Sequence, residues 1–357
     1  MSQAKKGEGF MLDDANILRQ RDPSGALTVA AEQYTQALFA AHVTHSEHDH
    51  RELKNIVFTG MGGSALAALI AKTWLSDELQ LPFEVVRDYT LPAYVNENTL
   101  VISASYSGNT EETLSCFKEA RERGAQLGVI ASGGELLGRA EEGDVAYVAV
   151  PSGLQPRMAT IYQLRALLSL LSNFNVVTMN AFGEIAAISG RLEQVTRQWT
   201  PDVSTDKNEA KQLALRAVGK TPVIYASRQM APLAYKWKIS FNETSKNVAF
   251  NGELPEFNHN EFMGWTSHPI EKPFAVFDLM SSFDSDRVKQ RFALSDKLLS
   301  GRRPKAHPVQ LEGETLLEQM LKGCILADFV SIYAAILNNV DPTPVELIEK
   351  LKKELAQ

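Results

Sequence analysis

The chain has 357 residues, of which 44% are hydrophobic and 22% charged, and this size and composition predict a globular protein of two domains. A formal net charge of −7 without a basic cluster argues against a nucleic-acid partner. Cys116 and Cys324 lie far apart without metal-ligand spacing, which excludes a disulfide framework and suits a reducing cytoplasm. The polar start, and the absence of an apolar run of about 18 residues, predict a cytoplasmic protein with neither signal peptide nor membrane partner.

At the N-terminal end, apolar residues recur every three or four positions between Leu12 and Phe39. This spacing predicts amphipathic helices over residues 12–45, interrupted near Pro23. A polar stretch follows that is rich in histidine: His42, His45, His48 and His50. A zinc site and a solvated linker are the two interpretations, and we favour the linker because no cysteine and few acidic residues stand nearby.

From residue 55 to 150, short apolar runs alternate with helical patterns, which predicts a parallel sheet with right-handed helical crossovers. The predicted strands are 56–58, 83–86, 100–102, 127–130 and 145–150. Helices are predicted over 65–75, 110–123 and 156–200, with a short helix before the strand at 145–150.

After a polar junction at residues 200–209, the same alternation returns. The predicted strands are 222–225, 274–277 and 309–311, and the predicted helices lie around 230–242, 285–299 and 314–338. The offset of roughly 165 residues indicates a weak internal repeat, in which the second half lacks the Gly/Ser-rich turns of the first. We predict an N-terminal helical segment and linker (1–50), a first α/β domain (51–200), and a second α/β domain with a C-terminal helix (208–357).

Two Gly/Ser-rich turns each follow a predicted strand and precede a predicted helix, at residues 60–64 and 105–110. Parallel sheets bind ligands beyond the carboxyl ends of their strands. Glycines let the backbone approach a ligand, helix N-termini attract anions, and hydroxyl groups donate hydrogen bonds. Neither turn matches a dinucleotide-binding or nucleoside-triphosphate loop, and a tight turn without a ligand is the other interpretation. The pair predicts a phosphate site made of Gly62, Gly63, Ser64, Ser105, Ser107 and Thr110.

Candidate acid–base residues follow in the second half, where Glu243 and His259 stand in polar stretches sixteen residues apart. A carboxylate can move a proton between two carbons, and an imidazole can act on a ring oxygen; a solvated glutamate and a structural histidine are the alternatives. Arg157 follows the strand at 145–150 and could meet a phosphate or an oxyanion, or form a surface ion pair. A helix that starts after Pro342 carries lysines near the C-terminus: Lys350, Lys352 and Lys353.

These segments together resemble one family. The two turns are similar to the sugar isomerase (SIS) domain, and their order with the later segments resembles the bifunctional phosphoglucose/phosphomannose isomerases. The later matching segments are Pro156-Arg157, Asn242-Glu243 with Lys246, Pro255-Glu256 with His259-Asn260, and residues 348–352. The resemblance implies two SIS-type α/β subdomains, each a parallel sheet flanked by helices.

The resemblance also implies an activity: aldose–ketose isomerisation of glucose 6-phosphate, mannose 6-phosphate or both to fructose 6-phosphate, through a cis-enediolate. It implies no cofactor and no metal, and a homodimer with a shared active site. A hydroxyl residue would be expected at Val345 in some dual-specificity relatives. A non-catalytic SIS regulator, and a SIS isomerase of another sugar phosphate, are the alternative interpretations.

Residue roles follow from the resemblance alone. The hydroxyl groups of the two turns would hold the substrate phosphate. Glu243 would move the proton between C1 and C2, and His259, which comes from the partner subunit in relatives, would assist ring opening. Arg157 would stabilise the enediolate, and Lys352 would lie near the ring oxygen or hydroxyls. Lys353 is the neighbouring alternative for this last role.

Overall fold

The computed structural model describes residues 11–267 and 273–355. Their contacts divide into two compact units. The first unit is Glu32–Leu192, and the second combines the described residues up to Ala31 with those from Glu193 onward. Each unit contains one parallel sheet with helices around it, which confirms the predicted α/β class.

The N-terminal helices are shorter than the sequence pattern predicts. They are α1 (Ala15–Arg21), α2 (Ala26–Glu32) and a 3-10 helix (Gln33–Leu38). The prediction of helix is wrong for residues 39–45, where Thr44 instead exchanges backbone hydrogen bonds of 2.9 and 3.0 Å with Tyr147. Apolar spacing ends near Phe39, so no buried stripe holds a helix beyond it.

The first unit is built on five strands: β1 (Asn55–Thr59), β2 (Phe83–Val86), β3 (Thr99–Ser105), β4 (Gln126–Ala131) and β5 (Ala146–Ala149). They form a parallel sheet in the order β2-β1-β3-β4-β5. Every residue of the central strand β3 is buried, as expected of a continuous apolar run in a sheet covered on both faces. The helices are α3 (Gly62–Trp74), α4 (Glu111–Glu122), α5 (Gly134–Glu142), α6 (Thr160–Asn173), α7 (Met179–Ala187) and α8 (Ser189–Thr196).

In its described residues, the second unit has four strands: β6 (Thr221–Ser227), β7 (Phe250–Leu254), β8 (Phe274–Ser281) and β9 (His307–Leu311). They are parallel in the order β7-β6-β8-β9. The sequence pattern does not predict β7, because this edge strand is largely polar and only Leu254 in it is buried. The helices are α9 (Glu209–Ala217), α10 (Ala231–Glu243), α11 (Glu261–Gly264), α12 (Asp286–Leu298), α13 (Leu316–Leu337) and α14 (Glu346–Leu355).

Helix α13 forms the centre of the second unit. Among the described residues it is the one helix long and apolar enough to cross a membrane, but 89% of its most apolar stretch is buried inside the protein. At Gly323 it packs so closely on α10 that an added Cβ would lie 2.5 Å from Leu233 Cδ2. This burial identifies α13 as a core helix.

Candidate active site

The first predicted turn begins where β1 ends and leads into α3. Gly62, the first residue of α3, has φ +50°, a left-handed conformation that glycine adopts without a Cβ penalty. Ser64 is buried, and its Oγ accepts a hydrogen bond of 3.2 Å from the backbone N–H of Tyr106. Because Tyr106 belongs to the second turn, this bond joins the two turns at one edge of the sheet.

The second turn begins at Ser105, the last residue of β3. The Oγ of Ser105 lies 2.8 Å from Oγ1 of Thr110, the residue that precedes α4. The Thr110 hydroxyl makes no capping bond to its own helix. Ser107 is exposed, and its Oγ accepts from the backbone N–H of Asn109 at 3.4 Å. The turn thus holds three hydroxyl groups beside the N-terminus of a helix, an arrangement suited to an anion.

A third turn, after β4, packs against the second turn and forms hydrogen bonds with it. Gly108 has φ +74°, and an added Cβ would lie 1.8 Å from the carbonyl oxygen of Gly133. The Asn109 side chain accepts a 3.0 Å bond from the backbone N–H of Glu135, and the Gly108 carbonyl accepts one of 2.9 Å from Leu136. Sequence reasoning did not include Gly133 and Gly134 in the site, although the paired glycines after a strand were a signal.

Arg157 lies directly beneath the first turn. An added Cβ at Gly63 would lie 2.8 Å from the backbone nitrogen of Arg157 and 2.9 Å from its Cα. The Arg157 side chain is 1% exposed, and its Nη1 donates to Oε1 of Gln155 at 3.2 Å. The surface ion pair considered from the sequence does not fit this burial. The geometry places a buried guanidinium group in the segment that packs against a phosphate-type turn.

Glu243 is the last residue of α10 and is half-buried. Earlier in α10, Trp237 is buried, and its indole N–H donates to the Gly323 carbonyl at 3.1 Å. Lys246 donates from Nζ to the carbonyl oxygens of Glu243 (2.5 Å) and Pro344 (2.6 Å). The helix is therefore anchored in the core by Trp237, and its last carbonyl is bound by Lys246.

His259 closes a short 3-10 helix, Glu256–His259, which follows the cis peptide bond between Leu254 and Pro255. Its neighbour Asn258 donates to Ser295 Oγ at 2.8 Å and accepts from Arg291 Nη1 at 3.1 Å, both on α12. His259 itself is exposed. Asn258 therefore fixes this segment to α12, and the His259 imidazole is left exposed.

Lys352 lies on α14, a helix without a buried residue. Its Nζ is 3.1 Å from Glu349 Oε1, and both side chains are more than half exposed. Lys353 is exposed as well, so the environment does not choose between them. Four large apolar side chains on the same helix are also exposed: Leu347, Ile348, Leu351 and Leu355.

The histidine-rich segment does not gather a metal-binding set. Across residues 11–267 and 273–355, no group of three His, Cys, Asp or Glu side chains could hold a metal ion. The His48 and His50 rings are tilted at 56° with their centroids 4.2 Å apart, and His48 Nε2 lies 2.9 Å from the Asn173 carbonyl oxygen. His45 pairs with Asp144 at 3.6 Å. These contacts agree with the linker interpretation.

In the second unit, β8 occupies the sheet position that β3 has in the first. Contrary to the expectation from sequence, a hydroxyl-rich turn does follow it: Ser281, Ser282 and Ser285. Here Asp284 fills the turn with its own carboxylate, whose Oδ2 accepts the Ser281 N–H at 3.0 Å. The backbone N–H groups of Gly108 and Asp284 each donate a hydrogen bond to the carbonyl oxygen of the residue three positions earlier. A carboxyl side chain therefore occupies the turn that corresponds by strand order to the second turn of the first unit.

Two parallel-sheet units, one with hydroxyl-rich turns at the carboxyl ends of adjacent strands, define a SIS-domain protein. Residues 51–148 match the SIS domain, and residues 206–355 match the bacterial phospho-glucose isomerase C-terminal SIS domain. Two bifunctional phosphoglucose/phosphomannose isomerases are similar along most of the chain. That of Caldicellulosiruptor bescii is 36% identical over 308 residues, covering 86% of this chain and 91% of the relative. That of Aquifex aeolicus is 37% identical over 303 residues, covering 85% and 90%.

The chain belongs to the bifunctional phosphoglucose/phosphomannose isomerase family and is an isomerase. A D-glucosamine-6-phosphate 4-epimerase of Sulfolobus acidocaldarius is also similar, at 33% identity over 215 residues, which is 60% of this chain and 65% of that protein. Among solved structures, a hypothetical protein of Thermus thermophilus has a TM-score of 0.70 at 16% identity, covering 99% of this chain and 97% of that one. A glucose-6-phosphate isomerase like protein from the same organism has a TM-score of 0.62 at 19% identity, covering 96% and 98%. These two likenesses support the fold.

Proposed function

We propose that this protein interconverts glucose 6-phosphate, mannose 6-phosphate or both with fructose 6-phosphate. The observation that carries the proposal is the pair of linked turns at β1 and β3, where Ser64 accepts from the Tyr106 backbone and Ser105 lies 2.8 Å from Thr110. An ester phosphate needs several neutral and positive donors in one place, and these turns bring together hydroxyl groups and two helix N-termini. Membership of the bifunctional phosphoglucose/phosphomannose isomerase family supports a hexose phosphate as the substrate.

The reaction needs a base, because the proton beside a carbonyl is weakly acidic. We propose Glu243 for this step: its carboxylate removes the proton from C2 of the open-chain aldose, a proton passes from O2 to O1 of the enediolate, and the Glu243 carboxylic acid returns its proton to C1, which yields the ketose. His259 assists ring opening by proton transfer at the ring oxygen, and Lys352 contributes a positive charge near that oxygen or the hydroxyls. His259 is exposed, which leaves its imidazole accessible to a ligand, and Glu243 is half-buried at the end of α10.

Arg157 supplies positive charge for the enediolate in this proposal. Arg157 is 1% exposed, and a charge removed from bulk water acts more strongly than it does in water. The close approach of its backbone to Gly63 places the residue next to the turn proposed to hold the phosphate. Arg157 therefore links substrate anchoring to stabilisation of the developing oxyanion.

We also propose a homodimer in which His259 serves the partner's active site. The exposed position of His259 supports this, and so does α14, where four large apolar side chains are 43–83% exposed. Apolar surface of this kind is usually covered by a partner. Light scattering together with turnover of a mixture of Glu243→Gln and His259→Asn subunits tests it: mixed dimers regain activity only if the two residues act from different subunits.

A second candidate is 4-epimerisation of an amino-sugar phosphate, which the match to the Sulfolobus acidocaldarius epimerase favours. That match covers 60% of the chain, whereas those to the bifunctional isomerases cover 85% or more. Both reactions use a phosphorylated hexose, so the phosphate site is common to them. The products distinguish them: a ketose from isomerisation, and an epimeric aldose from the second reaction.

One assay tests the proposal. Purified protein with EDTA present is supplied with glucose 6-phosphate, mannose 6-phosphate or glucosamine 6-phosphate, and the products are separated. We expect fructose 6-phosphate from at least one of the first two, and loss of about 10³-fold in kcat in Glu243→Gln. Near wild-type turnover in Glu243→Gln removes this residue from the role of base. Formation of an epimeric aldose without fructose 6-phosphate rejects the isomerase proposal.

A further inference from the structure

Lys246 has an unusual backbone for its residue type. Its φ is +58°, in the left-handed region that favours glycine, at the turn just after the helix that carries Glu243. A glycine here would meet the backbone requirement without the penalty that a Cβ brings. What a lysine adds at this position, compared with a glycine, is the hydrogen bonding of its side chain.

The ammonium group of Lys246 donates to two backbone carbonyls. One is that of Glu243, at 2.5 Å, and the other is that of Pro344, at 2.6 Å. The last carbonyls of a helix have no partner within the helix and carry its negative end, so a cation there is favourable. Pro344 stands two residues before α14, the helix that carries Lys352. One ammonium group thus ties together the two segments that carry the proposed base and the proposed lysine.

The turn around Lys246 is held independently of that ammonium. The Asn247 N–H donates to the Phe241 carbonyl at 3.1 Å, and Asn242 Nδ2 donates to the Asn247 carbonyl at 2.8 Å. Asn338 Nδ2 lies 3.0 Å from the Ser245 carbonyl oxygen and 2.7 Å from Asn247 Oδ1. Removing the Lys246 side chain therefore leaves the chain reversal with its own hydrogen bonds.

We propose that Lys246 is a positioning residue for proton transfer: its ammonium fixes the last turn of α10, and with it the Glu243 carboxylate, against the segment that begins α14. The inference rests on the proposed function, because it concerns the residue proposed there as the base. Small displacements of a base lower the rate of proton transfer strongly while leaving phosphate binding intact. The phosphate turns belong to the first unit and Lys246 to the second, so we expect a change at Lys246 to lower kcat more than it raises KM.

Three variants separate the side chain from the backbone. Lys246→Met removes the charge and keeps the length, Lys246→Arg keeps donors, and Lys246→Gly removes the side chain while relieving the left-handed conformation. We expect kcat to fall about tenfold or more in the Met and Gly variants, with KM for the hexose 6-phosphate within about twofold of wild type. We expect the Arg variant to recover most of kcat, and the Gly variant to be at least as heat-stable as the Met variant. Lys238→Met, on the same helix, is the matched control and should be as active as wild type.

The outcomes distinguish this inference from the function beneath it. Wild-type kcat in Lys246→Met and Lys246→Gly, beside an inactive Glu243→Gln, overturns the positioning role and leaves the proposed function standing. The positioning role is also overturned if activity falls in the same order as heat stability across the variants, with Lys246→Gly the most active of them. A purely structural role predicts that order. Wild-type turnover in Glu243→Gln overturns the base assignment itself.

Discussion

The backbone nitrogen of Arg157 lies 2.8 Å from the point where a Cβ of Gly63 would stand. Carbon and nitrogen atoms that are not bonded do not approach so closely, so the first turn and the Pro156–Met158 helix pack in contact only because residue 63 is a glycine. The contact joins the predicted phosphate site to the backbone of the segment that carries the buried Arg157 side chain.

We expect Gly63→Ala to push these two segments apart. The free energy of unfolding should fall by about 1–3 kcal/mol, since the clash is with backbone atoms, and kcat/KM for the hexose 6-phosphate should fall at least about tenfold. The measurements are urea unfolding and steady-state turnover. Gly138→Ala is the control, because a Cβ there meets nothing within 4 Å and sits inside helix α5; it should be neutral or stabilising. Equal effects of the two changes would contradict the argument.

Thr110→Val tests the hydroxyl cluster of the second turn. It removes the hydroxyl 2.8 Å from Ser105 Oγ and keeps the shape of the side chain. Loss of one donor to a charged group costs about 1.5–3 kcal/mol, so KM and the inhibition constant of inorganic phosphate should both rise about tenfold or more. Thr73→Val, at the far end of α3, removes a hydroxyl that bonds only the Leu69 carbonyl in its own helix and serves as control. A change in kcat without a change in the phosphate constant would place Thr110 outside the phosphate site.

A buried ion pair inside the second unit gives a stability prediction. Lys236 Nζ lies 2.6 Å from Asp328 Oδ1, and both side chains are at most 1% exposed. Lys236→Met leaves a buried carboxylate without its counter-ion, and the free energy of unfolding should fall by about 3–5 kcal/mol. Lys236→Met combined with Asp328→Leu should recover much of that loss, as measured by urea unfolding. The exposed pair Arg197–Glu193 is the comparison: Arg197→Met should cost less than about 1 kcal/mol.

Asp278, on β8, makes the stability of the protein depend on pH. Burial raises the pKa of its carboxyl to about 7, while the charge of Arg303 acts in the opposite direction. The pKa of an aspartate in the unfolded chain is about 3.9. Between about pH 4 and pH 7, the native state therefore holds a proton that the unfolded state has lost. The stabilising contribution is therefore complete below about pH 4 and is lost as pH rises through about 7.

The test of Asp278 compares wild type with Asp278→Asn by urea unfolding between about pH 4.5 and 7.5. The wild-type free energy of unfolding should decline relative to that of the variant as pH rises, by at most about 1.4 kcal/mol per pH unit. An exposed change, Asp77→Asn, should leave the wild-type slope in place. Parallel curves for wild type and Asp278→Asn would show that this carboxyl does not cause the pH dependence.

Local patterns in the sequence were sufficient for most of the framework. The strands β1 to β6, β8 and β9, and the helices that follow them, were predicted because each is an apolar run or a helical stripe bounded by turn residues. The positions of the two Gly/Ser-rich turns were predicted for the same reason, since their glycines and hydroxyl residues follow a strand directly in the chain; that they bind phosphate stays a prediction. Edge strand β7 was missed because it is polar, and pairing with β6 rather than burial defines it.

The sequence by itself determined the α/β class, the turns and the family resemblance, because hydrophobic periodicity and turn chemistry act between neighbours in the chain. Tertiary structure alone decided that Gly133 supports Gly108, that a carboxylate fills the second unit's turn, and that Lys246 reaches Pro344. Lys246 and Pro344 are 98 residues apart in the chain, and packing of the unit brings them together. Within the turn after β8, the backbone conformation sets the direction of the Asp284 side chain. No local pattern records such distances, because the free energy that sets them comes from packing the whole unit.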